Sequence, residues 1–296
     1  MGYAHIANLY RPEAQHILLF KECYAMEKIH GTSAHISFRK AVDGAQTLHF
    51  SSGGEKYERF VNLFDAEKLK ASFAALGHRN ITVYGEAYGG SQQRQAWRYG
   101  DTLRFIAFDV NIDNFWLSVP SAHDVCTKLG IEFVHYEKAS TDIPTLDRLR
   151  DQPSTQAKRN GVNGDPPQEG IVIRPLVEMA LNDGERICAK HKRAEERETA
   201  TPRKVVDPSQ LQVLTQATDI AQEWVTETRL DHVMDKVCPN NLAPEMTPLV
   251  VDAMLEDVLR EGSGEFADSK ETRAAIKKRA AKLFNERCRN SLREVK

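Results

Sequence analysis

Short apolar runs with the composition of strands punctuate the first two thirds of the chain. "ITVYGEAY" (81–88), "LRFIAFDV" (103–110), "GIVIRP" (170–175) and "RICAKHK" (186–192) are rich in β-branched and aromatic residues and read as strands. Around 57–76 and 121–130 the periodicity becomes helical, so this part predicts an α+β pattern. Beyond residue 193 the pattern changes. "AEERETATPRKVVDP" (194–208) is polar, is punctuated by Pro202 and Pro208, and reads as a linker. After it the strand signal disappears: "PSQLQVLTQATDIAQEWVTETRLDHVMDKV" (208–237) has helical periodicity. "TPLVVDAMLEDVLRE" (247–261) opens on a Thr cap with Pro at the first helical position, and "DSKE" (268–271) resembles a capping box. In 270–296, Ile276, Ala280, Leu283, Phe284, Cys288, Leu292 and Val295 recur at helical spacing. The expected organisation is an α+β domain over 1–200 and an all-α domain over 201–296. One polar stretch rich in Pro, Gly and Asn, "DQPSTQAKRNGVNGDPPQ" (151–168), predicts a mobile loop before an apolar strand.

Composition narrows the class. With 296 residues, 41% apolar and 28% charged, the chain has the make-up of a soluble globular protein of about two domains. No uninterrupted apolar run approaches the roughly 18 residues of a membrane span. The N-terminal "MGYAHIANLYRPEAQ" lacks the order of a secretory signal, so the cytoplasm, without membrane association, is the expected location. Cys23, Cys126, Cys188, Cys238 and Cys288 are widely spaced, odd in number and without a C-x-x-C pair, which predicts reduced packing residues rather than a disulfide framework or zinc site. The net charge of −2 argues against indiscriminate nucleic-acid binding, yet residues 270–296 carry ten Lys or Arg against three Asp or Glu. That basic helix face is either a solvated surface or a phosphate-contacting one.

Candidate chemistry centres on "EKIHGTS" (27–33). A K-x-x-G match alone is common. A lysine becomes a nucleophile only through its neutral form, which burial, nearby positive charge or a metal must favour. Four further segments supply charges in order: "YGE" with Glu86, "FIAFDV" with Phe108 and Asp109, "EGIVIRP" with Glu169, and "AKHK" with Lys190 and Lys192. Residues two apart on a strand share a face, so Lys190 and Lys192 place two ammonium groups together. His30, His35 and His191 have no ligand-set spacing; His35 and His191 read as structural, and His30 as holding the loop after the lysine.

The ordered set K-x-x-G, G-E, F-D, E-G-x-V and K-x-K over residues 28–192 resembles the covalent nucleotidyltransferases, specifically the RNA ligase 2-like branch of the ATP-dependent polynucleotide ligases. The resemblance implies a nucleotidyltransferase (ATP-grasp-like ligase) domain of antiparallel sheets with helices, followed by a small all-α domain. It also implies a monomeric ATP-dependent RNA ligase that joins 5′-phosphate and 3′-hydroxyl RNA ends through a lysyl-AMP intermediate, in RNA repair. Lys28 would attack the α-phosphate of ATP within a motif that includes Ile29 and Ser33. Glu27 would face the adenine, Phe108 would stack on it, and Glu86 would accept from the ribose hydroxyls. Glu169 would hold a divalent metal, Mg²⁺ with Mn²⁺ able to replace it, and Lys190 and Lys192 would grip the ATP phosphates. Lys277, Lys278, Arg279, Lys282, Arg287 and Arg289 are candidates for RNA contact on the basic helix. Two positions depart from the pattern. Ser33 stands where the branch usually has Asn, and "LHFSSGGEK" offers Ser51 and Ser52 where it usually has Arg, so that either Arg39, Lys56 or Arg59 substitutes or sealing is altered. The rival readings are a DNA ligase or capping enzyme, disfavoured because a helical rather than barrel-like pattern follows residue 208, and a non-catalytic RNA-binding scaffold, disfavoured by the intact charged set.

Overall fold

Strands whose residues alternate between two environments bury one face and leave the other for a partner sheet. The computed structural model describes residues 2–90, 96–196, 217–239 and 242–294, and contacts divide it into two units: Met1–Leu9 with Glu13–Arg193, and Tyr10–Pro12 with Ala194–Lys296. The first unit runs β1 (Glu22–Lys28), β2 (Thr32–Lys40), β3 (Gln46–Ser51), α1 (Tyr57–Val61), α2 (Ala66–Ala75), β4 (Asn80–Tyr88), β5 (Arg104–Ile112), β6 (Phe115–Trp116) and α3 (Val119–Leu129). It continues with β7 (Tyr136–Ser140), α4 (Ile143–Arg150), α5 (Thr155–Arg159), β8 (Gly170–Pro175) and β9 (Ala189–Lys192). All ladders are antiparallel. One sheet has the order β7-β1-β8-β9 and the other β3-β2-β4-β5-β6.

The larger sheet shows why the site faces where it does. Ile36 pairs with Val83 and Val83 with Val110, while Phe38 pairs with Ile81 and Ile81 with Ile112, so six buried side chains form one apolar face. That face packs on α2 and α3, with Phe38 stacked on Phe73 at 5.7 Å. The intervening residues, among them Ser33, His35, Tyr84 and Glu86, necessarily point to the other side. There Glu86 comes within electrostatic reach of Lys28 and Lys192 of the smaller sheet.

Several sequence expectations need revision. The strand read over 186–192 is only Ala189–Lys192, because Arg186 is drawn into ion pairs with Asp109 and Glu178 while Ile187 bonds to Met179 across a turn. The stretch 151–168 is not simply a loop. Ser154 caps α5 by accepting from the Ala157 amide, and Ser154, Gln156 and Ala157 are buried. The five cysteines are free thiols and four are buried.

The second unit is helical where described: α6 (Ala217–Trp224), α7 (Glu227–Val237), α8 (Thr247–Glu261) and α9 (Lys270–Glu294). Ile276, Ala280, Phe284 and Cys288 are buried at successive four-residue steps of α9 and pack with Trp224, Val250, Met254 and Val258. The side chain of Leu292 and all of Val295 lie outside the described residues, as do residues 197–208 of the expected linker, the domain boundary at 200/201, and residues 209–216 of the stretch read as helical. Two caps differ by one residue from the sequence reading. Ser269, not Asp268, accepts from the Thr272 amide at the start of α9, while Asp268 pairs with Arg273. Thr247 is the first residue of α8 with its hydroxyl donating to Pro244, and Met246 precedes the helix. No helix among the described residues is long and apolar enough to cross a membrane.

Candidate active site

Lys28 ends β1 opposite Gly170 of β8, and Gly170 stands opposite Lys192 of β9. The alternation of side chains brings Lys28, Lys190 and Lys192 out on one face of the smaller sheet, as the two-residue spacing of Lys190 and Lys192 predicts. Gly170 has no side chain to separate the lysines, and a Cβ there would overlap the His191 carbonyl across the ladder. Glu169 then sits between the two cations. Its Oε2 is 2.7 Å from Lys28 Nζ, its Oε1 is 3.1 Å from Lys192 Nζ, and His30 Nδ1 lies 3.5 Å from Oε2. Glu169 is 1% exposed. Burial alone would raise its pKa, but Lys28, Lys192 and His30 hold it well below the usual carboxylate range.

The turn Ile29–Gly31 carries the chain from β1 to β2. Gly31 is required by close approach: a Cβ would overlap the Ala87 carbonyl and crowd Glu86 and Tyr88. Ile29 is buried in the core, and the His30 amide donates to the Tyr99 hydroxyl at 3.2 Å. This tight turn presses Lys28 toward β4, where Glu86 pairs with Ser33 on one side and Ile106 on the other. Burial pushes the Glu86 carboxyl up to about 7, with Lys28 opposing the rise, Glu169 adding to it, and the Gly31 amide and Lys192 again opposing it. Two carboxyls beside one lysine therefore titrate far apart.

The remaining candidates are distributed more widely. Phe108 is half-buried and meets the ring of Tyr3 edge-on, with centroids 4.9 Å apart. Ser33 is exposed and Lys190 half-buried. Glu27 points to the opposite face of the smaller sheet from Lys28; its carboxylate accepts from the Ser154 hydroxyl and, at 3.0 Å, from the Gln156 amide. Burial raises its pKa despite these bonds. His191 is 2.7 Å from Asp147 Oδ1, on the face away from Lys190 and Lys192. Arg39 lies near the far end of β2 from Ser33, and Arg59 pairs with Glu55 at 3.4 Å. Among the described residues no group of three or more His, Cys, Asp or Glu forms a metal cage.

Tyr99, whose hydroxyl accepts from the His30 amide, and Ser154 and Gln156, which hold Glu27 on the opposite face of the sheet, were not singled out in the sequence. The S-T-Q order carried a helix-cap signal, whereas Tyr99 carried none. In the helical unit the six basic candidates separate. Lys277, Lys278, Lys282 and Arg289 are exposed on α9, with Lys277 2.8 Å from Asp252 and Lys282 3.9 Å from Glu286. Arg279 instead donates to the Val225 carbonyl at 2.9 Å, and Arg287 pairs with Asp231 and Glu227.

The sequence matches the family described as RNA ligase over residues 21–192. No curated protein matches it. Among solved structures it is similar to an RNA ligase of Naegleria gruberi in a mutant form with ATP and Mn, at 14% identity and a TM-score of 0.48, over 66% of this chain and 57% of that one. The same ligase with pyrophosphate matches at 14% identity and 0.47 over 65% and 56%, and an apo mutant at 16% and 0.47 over 65% and 56%. The aligned part thus spans less than two thirds of these neighbours' length.

Proposed function

The chain belongs to the RNA ligase family, and from that premise we propose that it is an ATP-dependent RNA ligase that repairs RNA by joining 5′-phosphate and 3′-hydroxyl ends through a lysyl-AMP intermediate. The observation that supports this most is the meeting of Lys28, His30 and Lys192 on the single buried carboxylate of Glu169, with Glu86 beside them. Lys28 with His30, Glu86, Glu169 and Lys192 come from four separate stretches of the sequence, and convergence of charged groups of this kind marks a functional site.

In the first step the Lys28 amine attacks the α-phosphorus of ATP. A nitrogen–phosphorus bond forms, the α–β phosphoanhydride breaks, and pyrophosphate leaves. Lys28 Nζ donates to Glu169, so the amine must leave that contact and give up a proton before its lone pair can attack. Lys192 and Lys190 offset charge on the phosphates as the phosphorus becomes five-coordinate. In the second step a 5′-phosphate oxygen of RNA displaces Lys28 from the adenylate, and in the third the 3′-hydroxyl oxygen attacks the 5′-phosphorus and releases AMP. Glu86 accepts from the ribose hydroxyls, and Phe108 offers a stacking face to the base.

Magnesium fits this donor set. It is held by one or two carboxylates plus substrate phosphates rather than by a protein cage, and the buried Glu169 carboxylate beside Lys28 provides that much. A bound Mg²⁺ or Mn²⁺ would polarise the phosphates and compete with Lys28 for Glu169.

Intact-mass measurement after incubation with ATP and Mg²⁺ tests the reading. One AMP adduct is expected, located on Lys28, removed by pyrophosphate and missing from Lys28→Ala. An adduct that persists in Lys28→Ala would falsify the assignment. Two nicked duplexes differing only in ribose or deoxyribose at the 3′-hydroxyl side then distinguish RNA from DNA sealing, and equal sealing of both favours a DNA ligase.

A further inference from the structure

A second set of buried charges joins the two sheets away from Lys28. Asp109, fully buried on β5, lies 2.9 Å from Arg174 at the end of β8 and 2.7 Å from Arg186 in the β8–β9 connection. Both arginines also pair with Glu178. Two cations and two carboxylates thereby compensate one another, as charges removed from water require. Tyr3 completes the group. Its hydroxyl donates to Asp109 Oδ2 at 2.7 Å and accepts from Arg186 at 3.2 Å. Its ring lies 4.9 Å from Phe108, 5.2 Å from Tyr84 and 5.6 Å from Trp116, and the Arg186 guanidinium stacks 4.0 Å from the centre of the Trp116 ring. Burial first, and Asp109 second, push the Tyr3 hydroxyl well above its ordinary pKa, so it stays a donor.

What these groups share is their position. Asp109 immediately follows Phe108, the aromatic assigned to the base. Arg174 and Gly170 belong to the same strand, and Glu169 directly precedes it. The segment that carries Tyr3 continues to Ala7 and Leu9, whose main chain bonds to both sides of Lys190 at 2.9 and 2.8 Å. We propose that Tyr3, Asp109, Arg174 and Arg186 form a clasp that sets the gap between the sheets where the base of ATP is held, with Tyr3 as the positioning residue for Phe108. The inference rests on the adenylyltransferase reading above and adds to it a residue outside all the motif segments. Since the clasp acts on the base and not on the phosphates, loosening it weakens nucleotide binding and spares the chemistry at Lys28.

The test compares single-turnover AMP-adduct formation over a range of ATP concentrations in the full chain, in Tyr3→Phe, in Tyr3→Ala and in Arg186→Lys. Circular dichroism at the assay temperature serves as the folding control. Tyr3→Ala removes the ring against Phe108 as well as the hydroxyl's bond to Asp109, and the two losses together are expected to raise the half-saturating ATP concentration about tenfold, while the rate at saturation stays within about twofold. Tyr3→Phe keeps the ring and loses the hydroxyl, so a smaller rise of about threefold is expected. Arg186→Lys keeps the charge without the fork or the stacking and should shift in the same direction as Tyr3→Ala. A purely structural Tyr3 would lower the melting temperature and leave ATP dependence untouched; that result, or a slower saturated rate at unchanged half-saturation, overturns the clasp. If Tyr3→Ala does not fold, Tyr3→Phe decides by the same criterion. Wild-type protein that takes up no AMP overturns the adenylyltransferase reading and the clasp together, whereas labelled wild type with unshifted variants overturns the clasp alone.

Discussion

A carboxylate that is 1% exposed and ionised must be compensated, and Glu169 is compensated by Lys28 and Lys192. Lys192→Ala removes a charge poised for the phosphates and also leaves Glu169 with only Lys28 and His30 beside it. Single-turnover adenylylation should fall by about 10²-fold, the scale of one lost preorganised donor; a normal rate would separate Lys192 from the reaction. Glu86 makes an opposite electrostatic case. Its folded pKa is raised from 4.5 to about 7, so between those values the folded protein holds a proton that the unfolded chain has released. The stability contributed by this group is therefore present below pH 4.5 and is lost as pH rises through about 7. Glu169, depressed instead, contributes stability above its unfolded pKa that is lost as pH falls through the folded value. Denaturant unfolding of wild type and Glu86→Gln across pH 4.5 to 7 should show a downward slope in wild type that the variant lacks. Because the charged form is the better acceptor for ribose hydroxyls, ATP binding by wild type should tighten as pH passes about 7.

At the scale of elements, the site depends on how closely the β1–β2 turn lies against β4. Gly31→Ala would push a methyl group into the Ala87 carbonyl, displacing the turn that aims Lys28. Overpacking of this kind costs about 1–3 kcal/mol. Calorimetry should register that loss, and adenylylation should fall by more than the unfolded fraction explains. The start of α5 offers a milder perturbation. Ser154→Ala deletes both the cap to Ala157 and the bond to Glu27, at a cost of about 1–2 kcal/mol. If Glu27 serves mainly to anchor this segment, ATP half-saturation should change little in Ser154→Ala; a large change would tie Glu27 and its partners to the base.

At the scale of the whole molecule, the motif residues all lie in the first unit and the basic helix in the second. A chain ending near residue 205 should still form the AMP adduct and fail to seal 5′-phosphorylated RNA. Sealing equal to that of the full chain would reduce the helical unit to a cap. Outward cations are the ones to alter in an RNA-binding test, since Arg279 and Arg287 already serve contacts inside the unit. Reversing Lys278, Lys282 and Arg289 should shallow the salt dependence of RNA binding, with adduct formation unchanged.

Strand and helix periods along the chain, together with the order of the charged segments, were sufficient to indicate an α+β part, a helical part and a lysine-centred site, because period and residue type are local properties. Lys190 and Lys192 share a face for the same reason: alternation along a strand needs no knowledge of its neighbours. Contacts across the fold were not legible. That Glu169 lies between Lys28 and Lys192, that Glu27 turns toward α5, and that Asp109 binds two arginines and Tyr3 follow from strand register and sheet packing. The length of the last strand and the helix within 151–168 were decided in the same way, by ion pairs and a buried cap that join residues distant in sequence. Only the tertiary structure decides which charges face one another, because a buried charge takes its partner from whatever the fold brings within reach.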